Sequence, residues 1–263
     1  MDLKLNGKTA VITGGSAGIG LAVAKALCRE GANVVLAAHA MVEKAVREVR
    51  ETSSADEAGV SGIEIDLMEA GQAQAVADHA LNRFKRIDIL VNCAGAAKAG
   101  SFLELTDDEF LDAWKLKLLG YIRMVRAVLP QMMGQRDGRI VNIIGAGGKT
   151  PVPTFLTGST VNAALINFTR GLSKEIAKHN IRIVAVSPTA TETERAIQLA
   201  EQTARARDIS VEEVKAETTS SIPLGRMVKP IEIADLVAFL VSDRAAAVTG
   251  AEILIDGGQT PGI

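Results

Sequence analysis

The sequence predicts an α/β fold in which a parallel β-sheet is covered by helices on both faces. Three observations predict it. Short apolar runs alternate with longer segments of helical period along the whole chain. Most of the runs are continuously apolar rather than alternating, as expected for strands buried on both faces. A glycine-rich turn, TGGSAGIG (13–20), joins the first run to the first helical segment, the place where a doubly wound sheet carries its ligand turn.

The runs are TAVIT (9–13), NVVLAA (33–38), GIEID (62–66), IDILVN (87–92), RIVNII (139–144), IRIVAV (181–186) and EILID (252–256). Helical segments fall between them at about 18–30, 42–52, 69–84, 107–133, 157–179 and 230–242. Gly31 follows the first of these as a C′ residue. Thr106 and Glu109 spell a capping box. Pro230 sits where a first helical turn tolerates proline. The stretch 190–222 is polar and helix-prone with no strand pattern, and reads either as a lid over a site or as a surface excursion. No linker or internal repeat interrupts the pattern, so residues 1–263 read as a single domain.

Composition narrows the function classes. The chain of 263 residues is 48% hydrophobic with only 7 prolines, which excludes a disordered polymer. A net charge of −2 offers no basic excess for nucleic acid or an anionic membrane, so neither partner is expected. Two cysteines, Cys28 and Cys93, make no disulfide framework and fit a reducing compartment. The opening MDLKLNGKTAVITGG is too short and polar for a secretory signal, and no apolar run is long enough to span a bilayer. The expected location is cytoplasmic, and no metal centre is expected.

In the glycine turn, Gly14, Gly18 and Gly20 let backbone amides approach a pyrophosphate at a helix N-terminus. Their spacing departs from the common G-x-G-x-x-G, and such a turn is sometimes purely structural. The same residues also spell G-x-S-x-G around Ser16, the nucleophile-elbow pattern of hydrolases. That reading needs an acid and a histidine downstream, and only His39, His79 and His179 exist.

The chain resembles the short-chain dehydrogenase/reductase family of single-domain type. The matching stretches are TGGSAGIG (13–20), Asp66-Leu67, NCAG (92–95), GRIVNI (138–143), SPT (187–189), GRMVKPIEIA (225–234) and TGAEILIDGG (249–258), in the family's order and spacing. The resemblance implies a Rossmann-like doubly wound parallel sheet of seven strands and a nicotinamide dinucleotide cofactor. It places Gly14, Ser16, Ile19 and Gly20 at the pyrophosphate and ribose, with Ala17 and Gly18 in the same turn. Asp66 and Leu67 would border the adenine, and Asn92, Ala94 and Gly95 would line the cofactor floor. Pro188 and Thr193 would lie near the carboxamide. Cys93 and Thr189 depart from the family's usual Asn and Gly. After the second strand stand Ala38 and His39, with no carboxylate to exclude a 2′-phosphate. NADP(H) is therefore preferred; NAD(H) remains open, because Ala17 stands where the family's NADP-preferring members often carry a basic residue and His39 is either a phosphate partner or a plain loop residue. A homodimer or homotetramer is also implied.

The family's proton machinery is Asn, Ser, Tyr and Lys. The motif positions that carry them fall here on Lys117, Gly145, Gly158 and Asn162, so GSTVN (158–162) stands where YxxxK is expected. The only tyrosine, Tyr121, is far from position 158 in sequence. Two readings follow. In one, the chain is an atypical NAD(P)(H)-dependent oxidoreductase in which Lys117 supplies the proton, with Lys149, Thr157, Ser159 and Thr160 as other candidates and the two glycines widening the pocket. In the other, it binds cofactor without chemistry, as a sensor or assembly partner.

Overall fold

The computed structural model of the chain describes residues 2–53 and 59–261. Seven strands form one sheet: β1 (Thr9–Thr13), β2 (Asn33–Ala38), β3 (Val60–Glu64), β4 (Ile89–Asn92), β5 (Gly138–Ile143), β6 (Ile181–Pro188) and β7 (Glu252–Ile255). Their order is β3-β2-β1-β4-β5-β6-β7 and every pair is parallel. The direction of winding reverses between β1 and β4, which places a crevice at their C-terminal ends.

Alternation along β1 explains the apolar runs. Ala10 and Ile12 pack into one core layer and Val11 into the other, all fully buried. The first layer includes Val23 and Leu27 of α1 (Gly18–Arg29) and Ile233 and Val237 of α9 (Pro230–Val241). The second includes Val76 of α3 (Gln72–Phe84) and Met124 and Val128 of α5 (Gly120–Gln135). Each fully buried aliphatic side chain contributes about 1.5–3 kcal/mol, so the two layers fix the sheet between them. Arg182, buried at the start of β6, donates to the carbonyls of Leu240, Ser242 and Ala245 and so closes the C-terminal end of α9.

Two of the segments that differ from the sequence expectation show a cause or a break in the helix. β3 begins at Val60 rather than 62, because Val60 already pairs with Val34 of β2. It stops before Asp66, whose Oδ1 accepts from the Met68 amide and turns the chain. The helix expected over 107–133 is three pieces: α4 (Asp107–Ala113), a π-helical segment Trp114–Leu119, and α5. The Thr106 and Glu109 capping box opens α4, as the sequence predicts. The remaining helices are α2 (Val42–Arg50), α6 (Leu156–Ile176), α7 (Glu194–Arg207) and α8 (Val211–Ser220), the last two formed by the polar stretch 190–222. Among the described residues, no helix is long and apolar enough to cross a membrane.

The first helix starts almost against the turn that precedes it. A β-carbon on Gly20 would run into the Gly14 carbonyl oxygen. Glycine 171, in α6, has open space around it. The same substitution is therefore expected to act in opposite directions. Gly171→Ala should stabilise by about 0.5–1 kcal/mol through helix propensity. Gly20→Ala should destabilise by about 1–3 kcal/mol through overpacking. Urea midpoints of the two variants against the parent check the pair.

Candidate active site

The site is built where the turn after β1 meets the loop after β4. The Thr13 hydroxyl accepts from the amides of Cys93 and Ala94 at 3.1 and 3.2 Å. A β-carbon on Gly14, which has φ +65°, would lie 2.9 Å from the Ala94 backbone. Beneath this junction Asn92 donates to Asn142, and Asn142 donates to Thr169 of α6, both at 3.0 Å. The crevice is thus held by backbone contact above and a buried amide chain below.

The residues of the turn fit a dinucleotide. The N-cap of α1 is Ala17, which has no side chain to cap the first-turn amides, and no acidic residue stands in that turn. Those donors and the positive end of the helix dipole are left for an anion such as pyrophosphate. Ser16 and Gly18 lie in the same turn, and Thr193 Cγ2 would be 3.3 Å from a β-carbon on Gly18. Ile19, Gly95, Pro188, Thr189 and Thr193 all line one cleft of about 1130 Å³. At the far end of the crevice, Ala38 closes β2, His39 is exposed, Asp66 is exposed and Leu67 is buried. The Thr189 hydroxyl bonds to Gln259, so the side chain that replaces glycine ties the β6 loop to the C-terminal segment.

A hydrolase constellation around Ser16 is not assembled among the described residues. His39 is exposed after β2, and His79 is hydrogen-bonded to Ser61 at 2.7 Å.

Lys117 lines the cleft. It lies in the π-helical segment, whose wider turn is a common device for re-aiming a side chain at a functional site. Its Nζ donates to the Ile144 carbonyl at 2.5 Å and to Asn162 Oδ1 at 2.9 Å. The Tyr121 ring centroid is 5.9 Å from the nitrogen. Burial pushes the ammonium down to about pKa 8, and burial likewise raises the neighbouring Cys93 thiol to about 11. Lys117 thus hydrogen-bonds Asn162, and both residues line the cleft.

The other proton candidates are hydrogen-bonded elsewhere or lie outside the cleft lining. Thr157 donates to the Lys98 carbonyl at 2.7 Å, and Thr160 donates to the Leu156 carbonyl while accepting from Trp114 Nε1. Ser159 is buried and accepts from the Val152 amide. Lys149 is exposed outside the cleft lining. Tyr121 is fully buried, donates to the Ile143 carbonyl at 2.9 Å and has its pKa raised by burial.

The two glycines do not widen the pocket as expected. Gly145 has φ +144°, and a β-carbon there would meet Asn162 Nδ2 at 2.8 Å. At Gly158 the volume of a β-carbon is taken by the Phe155 ring. Phe155 is a site residue that the sequence reading missed. Its position three residues before Gly158 carries no motif that would have marked it. Arg195 was also missed: it reaches from α7 to the Ala97 carbonyl at 2.5 Å and pins that helix over the cleft.

Seven parallel strands in this order, with a glycine turn at the switch point, define a Rossmann-like α/β domain. A family model described as enoyl-(acyl carrier protein) reductase matches residues 14–260. The chain is 33% identical over 258 residues to oxidoreductase UcpA of Escherichia coli O157:H7, covering 98% of this chain and 96% of that protein. It is 33% identical over 259 residues to the 3-oxoacyl-(acyl-carrier-protein) reductase FabG of Aquifex aeolicus, covering 98% and 100%. Among solved structures, an actinorhodin polyketide ketoreductase with NADPH superposes with TM-score 0.91 at 32% identity, covering 96% of this chain and 97% of that one. L-sorbose reductase from Gluconobacter frateurii, complexed with NADPH and L-sorbose, gives TM-score 0.92 at 28% identity over all of both chains. The chain belongs to the short-chain dehydrogenase/reductase family.

The lowered Lys117 pKa sets a pH dependence of stability. Between about pH 8 and the ordinary lysine value of 10.5 the unfolded chain binds the extra proton, so stability rises with pH across that window. Cys93 opposes it between about 9 and 11, where the folded thiol keeps a proton that the unfolded one loses. Lys117→Met removes the first contribution. The stability difference between parent and variant should therefore move in the parent's favour from pH 8 to 9, as read by urea unfolding. A difference independent of pH would contradict a buried amine.

Proposed function

We propose that the protein is a NAD(P)(H)-dependent oxidoreductase of alcohols and carbonyl compounds in which the Lys117 ammonium takes the proton-donor role that the family gives to tyrosine. The observation that carries this reading is the Lys117 amine, held by Ile144 and Asn162 inside the cleft that adjoins the glycine turn. Ketoreductases among the relatives and NADPH in two of the structural neighbours support the reaction class and the cofactor.

The α1 amides, with Gly14, Ser16 and Gly20, would hold the pyrophosphate, and Asn162 would reach the nicotinamide ribose through its amide. Bound there, the reduced nicotinamide supplies a hydride to a carbonyl carbon. Lys117 donates two N–H bonds to Ile144 and Asn162, and the third is free to protonate the oxygen that becomes the alcohol. Desolvation brings its acidity near neutral pH, where proton transfer is efficient. In this reading the four tetrad positions, Lys117, Gly145, Gly158 and Asn162, are all replaced, and only Lys117 titrates. NADP(H) is preferred because β2 ends on Ala38 and His39 without a carboxylate, while NAD(H) still fits. By resemblance the protein forms a homodimer or homotetramer.

The rival reading, a cofactor-binding protein without turnover, is favoured by one observation: the space at Gly158 is filled by the Phe155 ring rather than by an acid. The two separate cleanly. Titration followed by nicotinamide fluorescence should show NADPH binding more tightly than NADH, and His39→Asp should shift the preference toward NADH. Turnover of a carbonyl panel should fall by about 10²–10⁴-fold in Lys117→Ala, and the reduction rate of the parent should decline above about pH 8, where the ammonium is lost. Tight cofactor binding with no turnover across the panel would leave the rival standing.

A further inference from the structure

We infer that Lys117 is also a covalent site for aldehydes and ketones: a carbonyl carbon entering the cleft condenses with its Nζ to form an imine. The geometry at the nitrogen is the ground for this. Two acceptors face it, the Ile144 carbonyl at 2.5 Å and Asn162 Oδ1 at 2.9 Å. A neutral amine has two N–H bonds and one lone pair. Two acceptors satisfy both N–H bonds and leave the lone pair turned away from them, free for a carbonyl carbon in the cleft that Lys117 lines. An amine so held is pre-aimed as a nucleophile.

The step balances without an oxidant. The lone pair forms an N–C bond, the carbonyl π pair moves to oxygen, and a proton passes from nitrogen to oxygen to give a carbinolamine. The hydroxyl then leaves with the remaining N–H proton as water, and the nitrogen pair closes C=N. An aldehyde and the lysine amine thus give an imine and one water, with no change of oxidation state.

The surroundings favour the neutral amine and an apolar carbonyl compound. Ile19, Val152, Phe155, Val161 and Ile197 line the cleft. The groups that face the nitrogen are the Cys93 thiol, pushed up to about 11, the buried Tyr121 ring, and the uncharged Asn162 and Ile144. The charged residues of the cleft wall are Glu192, Glu194, Arg195 and Lys215, and Arg195 is bound to the Ala97 carbonyl. Burial holds the Lys117 pKa at about 8, so at pH 7.5 it offers roughly 200-fold more free amine than an ordinary lysine. A medium-chain aliphatic aldehyde is the ligand class that fits.

The full-length protein is incubated with octanal and cyanoborohydride at pH 7.5, digested, and mapped by mass spectrometry. The Lys117 peptide is expected to carry the reduced adduct at least tenfold faster than the peptide of Lys44, whose side chain is 70% exposed. Its labelling should rise with pH to about 8 and then level. Lys117→Arg should lose this adduct and keep the slow surface ones. Labelling of Lys117 no faster than Lys44 overturns the proposal, and this comparison within the parent protein stands even if the variant misfolds. The proposal shares with the oxidoreductase reading only the placement of Lys117. An unlabelled Lys117 with turnover that still depends on it would sink the imine alone. A labelled Lys117 with turnover insensitive to Lys117→Ala would sink the proton-donor role alone.

Discussion

Two backbones approach each other without a side chain between them, and the site depends on that approach. The turn after β1 and the loop after β4 meet at Gly14 and Ala94, and the Thr13 hydroxyl holds the β4 loop by two amides. Because these strands lie side by side at the point where the winding reverses, the amides of α1 open into the same crevice as the residues after β4. Gly95, in that β4 loop, would place a β-carbon 3.0 Å from the Lys117 side chain. The missing side chain at Gly95 thus leaves room for the lysine.

Lys117 is then a problem of desolvation. A buried ammonium is costly unless it is hydrogen-bonded, and losing its proton is the usual relief. The protein does some of each: two oxygens receive its N–H bonds, and burial brings its pKa down to about 8. A side chain in this state changes protonation with small changes around it. That is the property needed of a group that gives up a proton, and equally of one that attacks a carbonyl.

The fold was legible because burial on both faces writes continuous apolar runs. β1 and β2 match the predicted runs residue for residue, and the capping box at Thr106 marks the start of α4. Legibility failed where spacing has no local signature. Nothing in WKLKLL announces a π-helical segment, since a π turn differs from an α turn by the register of backbone bonds, not by residue type. The glycine turn and Lys117 could be placed by motif. Phe155 and Arg195 could not, because each matters through a contact with a distant or featureless partner: the empty side of Gly158 and the Ala97 carbonyl.

Lys117, Gly145 and Asn162 are direct neighbours, and Gly158 lies one turn of α6 before Asn162. Asn162 Oδ1 accepts from Lys117 while its amide nitrogen lies where a side chain at 145 would begin. The backbone at Gly145, with φ +144°, disfavours any such side chain. Phe155 covers the face of Gly158, one turn of α6 before Asn162. A tyrosine placed at 158 would have to displace the Phe155 ring, and a lysine placed at 162 would put a second cation beside Lys117 and remove its acceptor. Close packing thus ties these positions together, and a change at one alone is expected to disturb the others. The cleft around Lys117 and Asn162 is therefore packed as one arrangement, with two oxygen acceptors on the amine and the Phe155 ring against Gly158.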